Sequence, residues 1–376
     1  MERAATERSG SLAAASMQHA DLVPVLGADR PLLTIWATSP RPEQLNAGAP
    51  ADATIRAAKS TPDGFEDVLD LVSARLDGAF PAAAGLVVVA DRTQVLLAEP
   101  LPDAPRADLV RVDPLPSLAP LLEHRQSQVP FVIVVCDRQG ADVYFSSDGG
   151  EPSAVDVPGA DGPITKIAAG GWSQRRYQQR AENTWEATAG DIAAEVVRLA
   201  TEVRPRVVLV GGDARTTALV CERLPNDLAD LVRELPGSRA DDGSAERRNH
   251  QVRRWIDTAV AEDTVRVLRA FDRERGQGER AADGPAATLA SLREGRVDVL
   301  CLHDDPDDQR TAWYLVDDPA LVAVDRADLE GLGVGEPREG RLADVAIRAA
   351  IGTGAAIRIV PAASPVQDRM GAILRW

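Results

Sequence analysis

The chain has 376 residues, 44% hydrophobic and 27% charged, with 58 acidic against 42 basic side chains and a net charge of -16. This composition fits folded protein of roughly two or three domains and excludes a disordered tract. The acidic balance argues against binding nucleic acid through the whole surface, although it leaves room for a local basic tip. No run of about 18 apolar residues occurs, which excludes a membrane-spanning helix.

Met1 to Ala15 is polar and rich in Ala and Ser, without the charged-then-apolar order of a secretory leader, and reads as a frayed start. Leu32 to Trp36 reads as a buried strand. Phe65, Val68, Leu69, Val72 and Leu76 form a helical stripe. Gly85–Val89 and Gln94–Ala98 read as a hairpin around Asp91 and Arg92. Pro100 to Pro120 is proline-rich, a loop with an edge strand.

A second segment opens on the β-branched run Phe131 to Val135, turns at Asp137 to Gly140 and returns through Ala141 to Phe145. Gly, Pro and Asp crowd residues 148–163, which read as loop with one strand near Val155 to Val157. From Gln174 the residues Tyr177, Ala181, Trp185, Ala189, Ile192, Val196, Leu199 and Val203 recur every three or four positions. This spacing predicts a long helix ended by Pro205, with Gly190 marking a bend. Arg206 to Val210 reads as a buried strand, and Gly211-Gly212-Asp213 as a turn into a helix through Cys221. That turn has the setting of a phosphate loop but lacks Gly-x-Gly-x-x-Gly and a following Lys-Ser/Thr, so a tight turn capped by Asp213 is the better reading.

Pro236 to Ser244 reads as a linker. Helices are predicted from Ala245 to about Arg275, from Gly284 to Glu294 and from Leu342 to Ile351. Strands are predicted at Val297–Leu302, Trp313–Val316 and Ala355–Val360. The acidic run Asp304 to Asp308 and the arginines 247, 248, 253 and 254 both read as solvated faces. Strands and helices alternate throughout, the pattern of α/β layers.

Ordinary catalytic constellations are missing. The three cysteines, Cys136, Cys221 and Cys301, are far apart and read as reduced thiols of a cytosolic protein, two of them buried in strands. There is no Cys-x-x-Cys, and His19, His124, His250 and His303 are scattered, so no zinc or other metal site is expected. No Gly-x-Ser-x-Gly or His-Glu-x-x-His occurs. Lys59 and Lys166 are the only lysines, and the arginine excess reads as codon preference before phosphate recognition.

One segment stands apart: Gly170-Gly171-Trp172-Ser173-Gln174-Arg175-Arg176-Tyr177, at the head of the long helix. Paired glycines let a backbone tip approach a partner closely. Arg176 and Arg180 share a helix face, and Arg175 adds charge where the helix dipole is already positive. Trp172 in a projecting loop could stack on a base, worth ~1–3 kcal/mol. The bland alternative, Trp172 folded back and the arginines merely solvated, stays open on these residues alone.

The segment resembles the Gly-Gly-Gln-Ser-Ala-x-Arg-Phe loop of archaeo-eukaryotic peptide release factors, which a long helix also follows. Phe131 to Phe145 is similar to the start of that family's middle domain. Residues 284–302 look like its C-terminal domain, and Gly371-Ala372-Ile373-Leu374-Arg375-Trp376 resembles the ending of Pelota-type rescue factors. Within the bacterial branch the chain resembles the actinobacterial members, which are similar to the ribosome hibernation factor Balon. The resemblance implies three consecutive α/β domains: residues 1–126 on the decoding-centre side, an RNase H-like middle domain over 127–240, and an L7Ae/L30e-like domain over 241–376. It implies as partners the 70S ribosome, through 16S and 23S rRNA at the A site, and elongation factor Tu or a related translational GTPase on the C-terminal domain. No cofactor, metal or membrane is implied, and a cytoplasmic monomer is expected.

The resemblance breaks at one place. Trp172 stands where the family's catalytic glutamine belongs, and Gln174 lies two positions on, at the Ala position. Two residues of extended chain, about 3.3 Å each, displace the amide by several ångströms. A misplacement of ~1 Å can already cost ~10²-fold in rate. Ser173, Arg176 and Tyr177 do fall on matching positions. The expected action is occlusion of the A site in idle ribosomes, with Gly170, Gly171, Trp172, Ser173, Gln174, Arg175, Arg176, Tyr177 and Arg180 against rRNA at the peptidyl transferase centre. Peptidyl-tRNA hydrolysis through Gln174 is the alternative, and a module that binds another protein off the ribosome is a third.

Overall fold

The computed structural model describes residues 19–26, 30–38, 65, 67–71, 85–101, 105, 108–150, 152–159, 171–237, 245–278, 280–333 and 335–376, with 171–183 and 245–246 by backbone alone. The described chain is α/β with four sheets. The first holds β1 (Leu32–Thr38), β2 (Gly85–Ala90), β3 (Val95–Leu101) and β4 (Leu109–Asp113) in the order β3-β2-β1-β4, with every pairing antiparallel. The hairpin and the edge strand stand as expected; helix α1 (Ala119–Ser127) follows and had no clear periodic signal. Of the predicted helix at 65–76, residues 67–71 are helical and 72–76 lie outside the described residues.

The second sheet combines β5 (Phe131–Asp137), β6 (Gly140–Ser146), β7 (Ser153–Pro158), β8 (Val207–Gly212) and β9 (Val232–Leu235), in the order β7-β6-β5-β8-β9. β5, β8 and β9 run parallel; β6 and β7 are antiparallel additions. The crossover from β5 to β8 uses helix α2 (Gly171–Val203), and α3 (Ala214–Cys221) follows β8. Helix α4 (Ala245–Gln277) contributes Val252, Trp255 and Ile256 to the packing on the face of this sheet that bears Ile133 and Leu209.

The remaining elements are β10 (Ala281–Asp283), α5 (Pro285–Arg293), β11 (Val297–Leu302), β12 (Thr311–Tyr314), β13 (Val322–Ala323), β14 (Arg338–Arg341), α6 (Leu342–Gly352), β15 (Ala356–Ile359) and β16 (Met370–Leu374). They form a sheet ordered β10-β16-β11-β15 and a small sheet ordered β13-β12-β14. The short pieces β9, β10, β13 and β14 are too brief to show a period of two in the sequence.

Two compact units result. One is residues 1–126 with 264–376, and the other is residues 127–263. In the first unit one hydrophobic cluster mixes Leu22, Trp36, Val87 and Leu118 with Leu292, Leu300, Ala346 and Ile357. α6 is buried along nearly its whole length, and Arg348 at 2% exposure gives its Nε proton to the Leu26 carbonyl at 3.1 Å and its Nη2 to that of Val316 at 2.6 Å. In the second unit α2 lays Ile192, Val196, Leu199 and Val203 against Val132, Val134, Val143, Val208 and Val210. Each such burial contributes about 1.5–3 kcal/mol before chain entropy is offset.

Three expectations need correction. Helix α2 runs without interruption through Gly190, with Ala189, Ile192 and Ala193 beside it packed in the core of the unit. The helical backbone starts at Gly171 rather than Gln174. The acidic run is not simply solvated: Asp304 meets Arg341 at 2.5 Å, Asp305 meets Arg369 at 2.8 Å, and Asp308 meets Arg310 at 2.6 Å. The neutralising arginines include sequence-distant ones, which no local pattern reveals.

Candidate functional site

The geometry of the second unit decides where the head of α2 lies. β5 and β8 run parallel from Phe131 and Val207 to their carboxyl ends at Cys136 and Gly212. α2 returns antiparallel to them, so its first turns rise at the carboxyl end of both strands. There β8 turns sharply into α3. Gly212 sits at φ 125°, and a Cβ on it would come within 1.8 Å of the Cys136 carbonyl oxygen. Only glycine fits a backbone so close and so turned. The Asp213 carboxylate accepts from the Thr216 amide at 3.1 Å and from its hydroxyl at 3.0 Å. Those bonds and Arg138 hold the Asp213 carboxyl below the usual carboxylate range. The sequence reading of this turn as a capped strand-to-helix junction is therefore correct, and Asp213 occupies the helix N-terminus that an anion would need.

Beside that turn stands Trp185. The guanidinium of Arg138 lies 4.6 Å from its ring centre and that of Arg215 lies 4.8 Å away. Arg138 also approaches Asp213 at 3.9 Å. Two arginines on one indole form a cationic collar at the carboxyl end of the sheet. No local pattern in the sequence announces it. Arg138 sits in a hairpin turn and Arg215 in the first turn of α3, 77 positions apart by number, and only the parallel pairing of β5 with β8 joins them.

N-terminal to Thr184 the helical backbone continues for residues 171–183. At 1.5 Å per residue this is about 20 Å of helix beyond the collar. Gly171, Trp172, Ser173, Gln174, Arg175, Arg176, Tyr177 and Arg180 all lie on this stretch, while Gly170 lies outside the described residues. Helical geometry sharpens the register argument. At 100° per residue, positions 172 and 174 stand roughly 200° apart around the axis, on opposite sides of the helix. Below the collar, α2 is anchored by Thr188, Ala189, Ile192 and Val196, each at most 1% exposed.

The cysteines behave as expected. Cys136 and Cys301 are buried, Cys221 is half-buried, and all three are free. Burial pushes the Cys301 thiol up to about 12 and raises Cys136 as well, so neither is a nucleophile. Among the described residues no three His, Cys, Asp or Glu side chains are grouped to hold a metal, and no helix is long and apolar enough to cross a membrane.

Residues 130–277, the stretch carrying the second sheet, α2 and α4, match Bacterial archaeo-eukaryotic release factor family 2. The uncharacterized protein Rv2629 of Mycobacterium tuberculosis is 28% identical over 330 residues, covering 84% of each chain. Among solved structures, a ribosome-bound archaeal Pelota with ABCE1 is 11% identical over 96% of this chain and 95% of that one, with a TM-score of 0.41. An archaeal translation termination factor, aRF1, is 15% identical over 92% of both chains, with a TM-score of 0.25.

Proposed function

We propose that the protein binds the ribosome at the A site and carries the 170–174 segment to the peptidyl transferase centre without cleaving the peptidyl-tRNA ester. The observation that carries this reading is the head of α2: about 20 Å of helix beyond the sheet, with the release-factor-like segment at its end. The match of residues 130–277 to a release factor family supports it. Arg175, Arg176 and Arg180 on the helix, with Arg138 and Arg215 at its base, supply local positive charge on an otherwise acidic chain. Such charge neutralises rRNA phosphates, and Trp172 offers a face for stacking on a base.

Occlusion is favoured over hydrolysis because the indole of Trp172 replaces the amide, and Gln174 is roughly 200° away around the helix. The target is the idle 70S ribosome of a stressed cytoplasm, met by a monomer through both 16S and 23S rRNA. In this reading the segments 1–126, 127–240 and 241–376 face the decoding centre, the peptidyl transferase centre and a translational GTPase such as elongation factor Tu.

Two assays test this. Full-length protein should cosediment with 70S ribosomes from stationary-phase cells in the presence of elongation factor Tu. Added to ribosomes carrying peptidyl-tRNA, it should release no peptide. Release that is robust in the wild type and lost in Gln174→Ala would overturn occlusion in favour of hydrolysis. Failure to cosediment would overturn both ribosomal readings.

A further inference from the structure

The arginines at the start of α4 are solvated, as the sequence predicts, yet their surroundings set them apart. Over residues 245–256 the arginines Arg247, Arg248, Arg253 and Arg254 stand against Glu246 alone, in a chain whose net charge is -16. Many exposed arginines elsewhere find a carboxylate in this acid-rich chain. Arg198 meets Glu195 at 2.7 Å, Arg275 meets Asp272 at 2.7 Å and Arg326 meets Glu330 at 2.6 Å. Arg247, Arg253 and Arg254 are exposed and form no ion pair with any described residue. Asp257, one turn beyond Arg253 and Arg254, pairs with neither.

The fold fixes which way this stretch faces. Val252, Trp255 and Ile256 pack on the side of the second sheet that bears Ile133 and Leu209. That side is opposite to the one under α2, which bears Val132, Val134, Val208 and Val210. At about 100° per residue, Arg247, His250 and Arg254 fall within about 60° of one another, turned away from the sheet, and Arg253 flanks them. From Arg247 to Arg254 the axis rises about 10 Å, a length over which a duplex strand presents about three phosphates. The chemistry of the face selects its partner. The core of a protein interface is apolar and aromatic, and none of the exposed large hydrophobic side chains among the described residues falls in 247–257. Asn249 and Gln251 stand in the same turns instead, and amides beside guanidinium forks suit phosphate and ribose oxygens.

We propose that the opening turns of α4 bind the phosphate backbone of an RNA, with Arg247, Arg253 and Arg254 neutralising its phosphates. The surface is separate from the head of α2 and does not depend on the ribosomal reading. Release of condensed counterions drives such binding, so log affinity falls with log salt by about 0.9 for each phosphate contacted. The acidic remainder of the chain repels RNA and confines contact to the cationic faces.

The test is binding of the full-length protein to an RNA duplex of about 16 base pairs, followed by fluorescence anisotropy across a salt series, beside cosedimentation with 70S ribosomes. Combining Arg247→Gln, Arg253→Gln and Arg254→Gln should weaken duplex binding about tenfold or more and lower the salt slope by roughly two to three. Combining Arg198→Gln, Arg296→Gln and Arg326→Gln removes the same charge from ion-paired positions and should leave affinity and slope unchanged. Unaltered binding in the first variant, equal loss in both, or a wild-type chain that binds no duplex would overturn the proposal. Tighter binding of a DNA duplex of the same sequence, or of polyglutamate, would overturn RNA as the partner. A chain that binds the duplex through this face yet stays off ribosomes refutes the ribosomal reading alone. One that cosediments while the first variant binds the duplex as well as wild type refutes this proposal alone.

Discussion

Two glycines of the second unit should respond to alanine with opposite sign. Gly190 lies inside α2, beside the buried Ala189 and one turn from Ala193, and a Cβ there meets nothing within 4 Å. Glycine in a helix interior costs about 0.5–1 kcal/mol relative to alanine, through the extra freedom of the unfolded chain. Gly190→Ala should therefore stabilise the unit by that amount. Gly212 is the reverse case. Its φ of 125° strains any other residue, and the new Cβ would lie 1.8 Å from the Cys136 carbonyl oxygen. The Asp213 amide also donates to that oxygen, at 2.9 Å. Strain of ~1–3 kcal/mol, a broken hydrogen bond of ~1 kcal/mol and a disturbed Asp213 cap of ~1 kcal/mol place Gly212→Ala at a loss of about 3 kcal/mol or more. Hydrogen exchange of the amides of residues 189–203 in the full-length chain, with urea titration followed by helical circular dichroism, measures both. A destabilised Gly190→Ala would mean that the helix bends there after all. A neutral Gly212→Ala would refute the tight turn that joins β8 to α3.

Three further outcomes are expected. Ile192→Ala empties a fully buried position under α2 and should cost about 2–5 kcal/mol by the same exchange measurement, whereas Trp185→Leu, which removes the ring beneath two guanidinium groups, should cost about 1–2 kcal/mol. His19 is held near 4 instead of 6.5, first by burial and then by Arg125. The unfolded chain therefore takes up this proton first as pH falls, and stability is lost from pH 6.5 down to about 4, by about 3 kcal/mol at most. Comparing His19→Gln with wild type by urea titration at pH 7 and pH 4.5 isolates that loss, and an unchanged pH dependence would contradict it. Replacing Arg175, Arg176 and Arg180 by Gln should weaken ribosome binding and lower the slope of log affinity against log salt by roughly one for each phosphate no longer neutralised; an unaltered slope would remove these arginines from the interface.

What the sequence revealed follows from the range of the forces involved. The stripe from Trp185 to Val203 announces α2 because a helix face repeats locally, and the β-branched runs at 131–135 and 206–210 announce β5 and β8 in the same way. The turn at Gly211 to Asp213 was legible because its glycines and its cap are adjacent. The collar of Arg138, Trp185 and Arg215 and the Arg341 network were not, since each is assembled by strand pairing or packing between distant residues. The core that Leu22 and Trp36 share with Leu300 and Ile357 is likewise invisible along the chain, where those residues are separated by more than two hundred positions. The Gly170 to Tyr177 segment is the converse: its sequence carries the family resemblance, and its meaning comes from the length of helix behind it.

A map of the complex between full-length protein and the 70S ribosome tests the central claim most directly. The expected result is α2 pointing into the large subunit, with Trp172 stacked in the peptidyl transferase centre and Gln174 turned away from the position of the peptidyl-tRNA ester. Density showing the Gln174 amide at that ester, or the head of α2 away from the centre altogether, would contradict it.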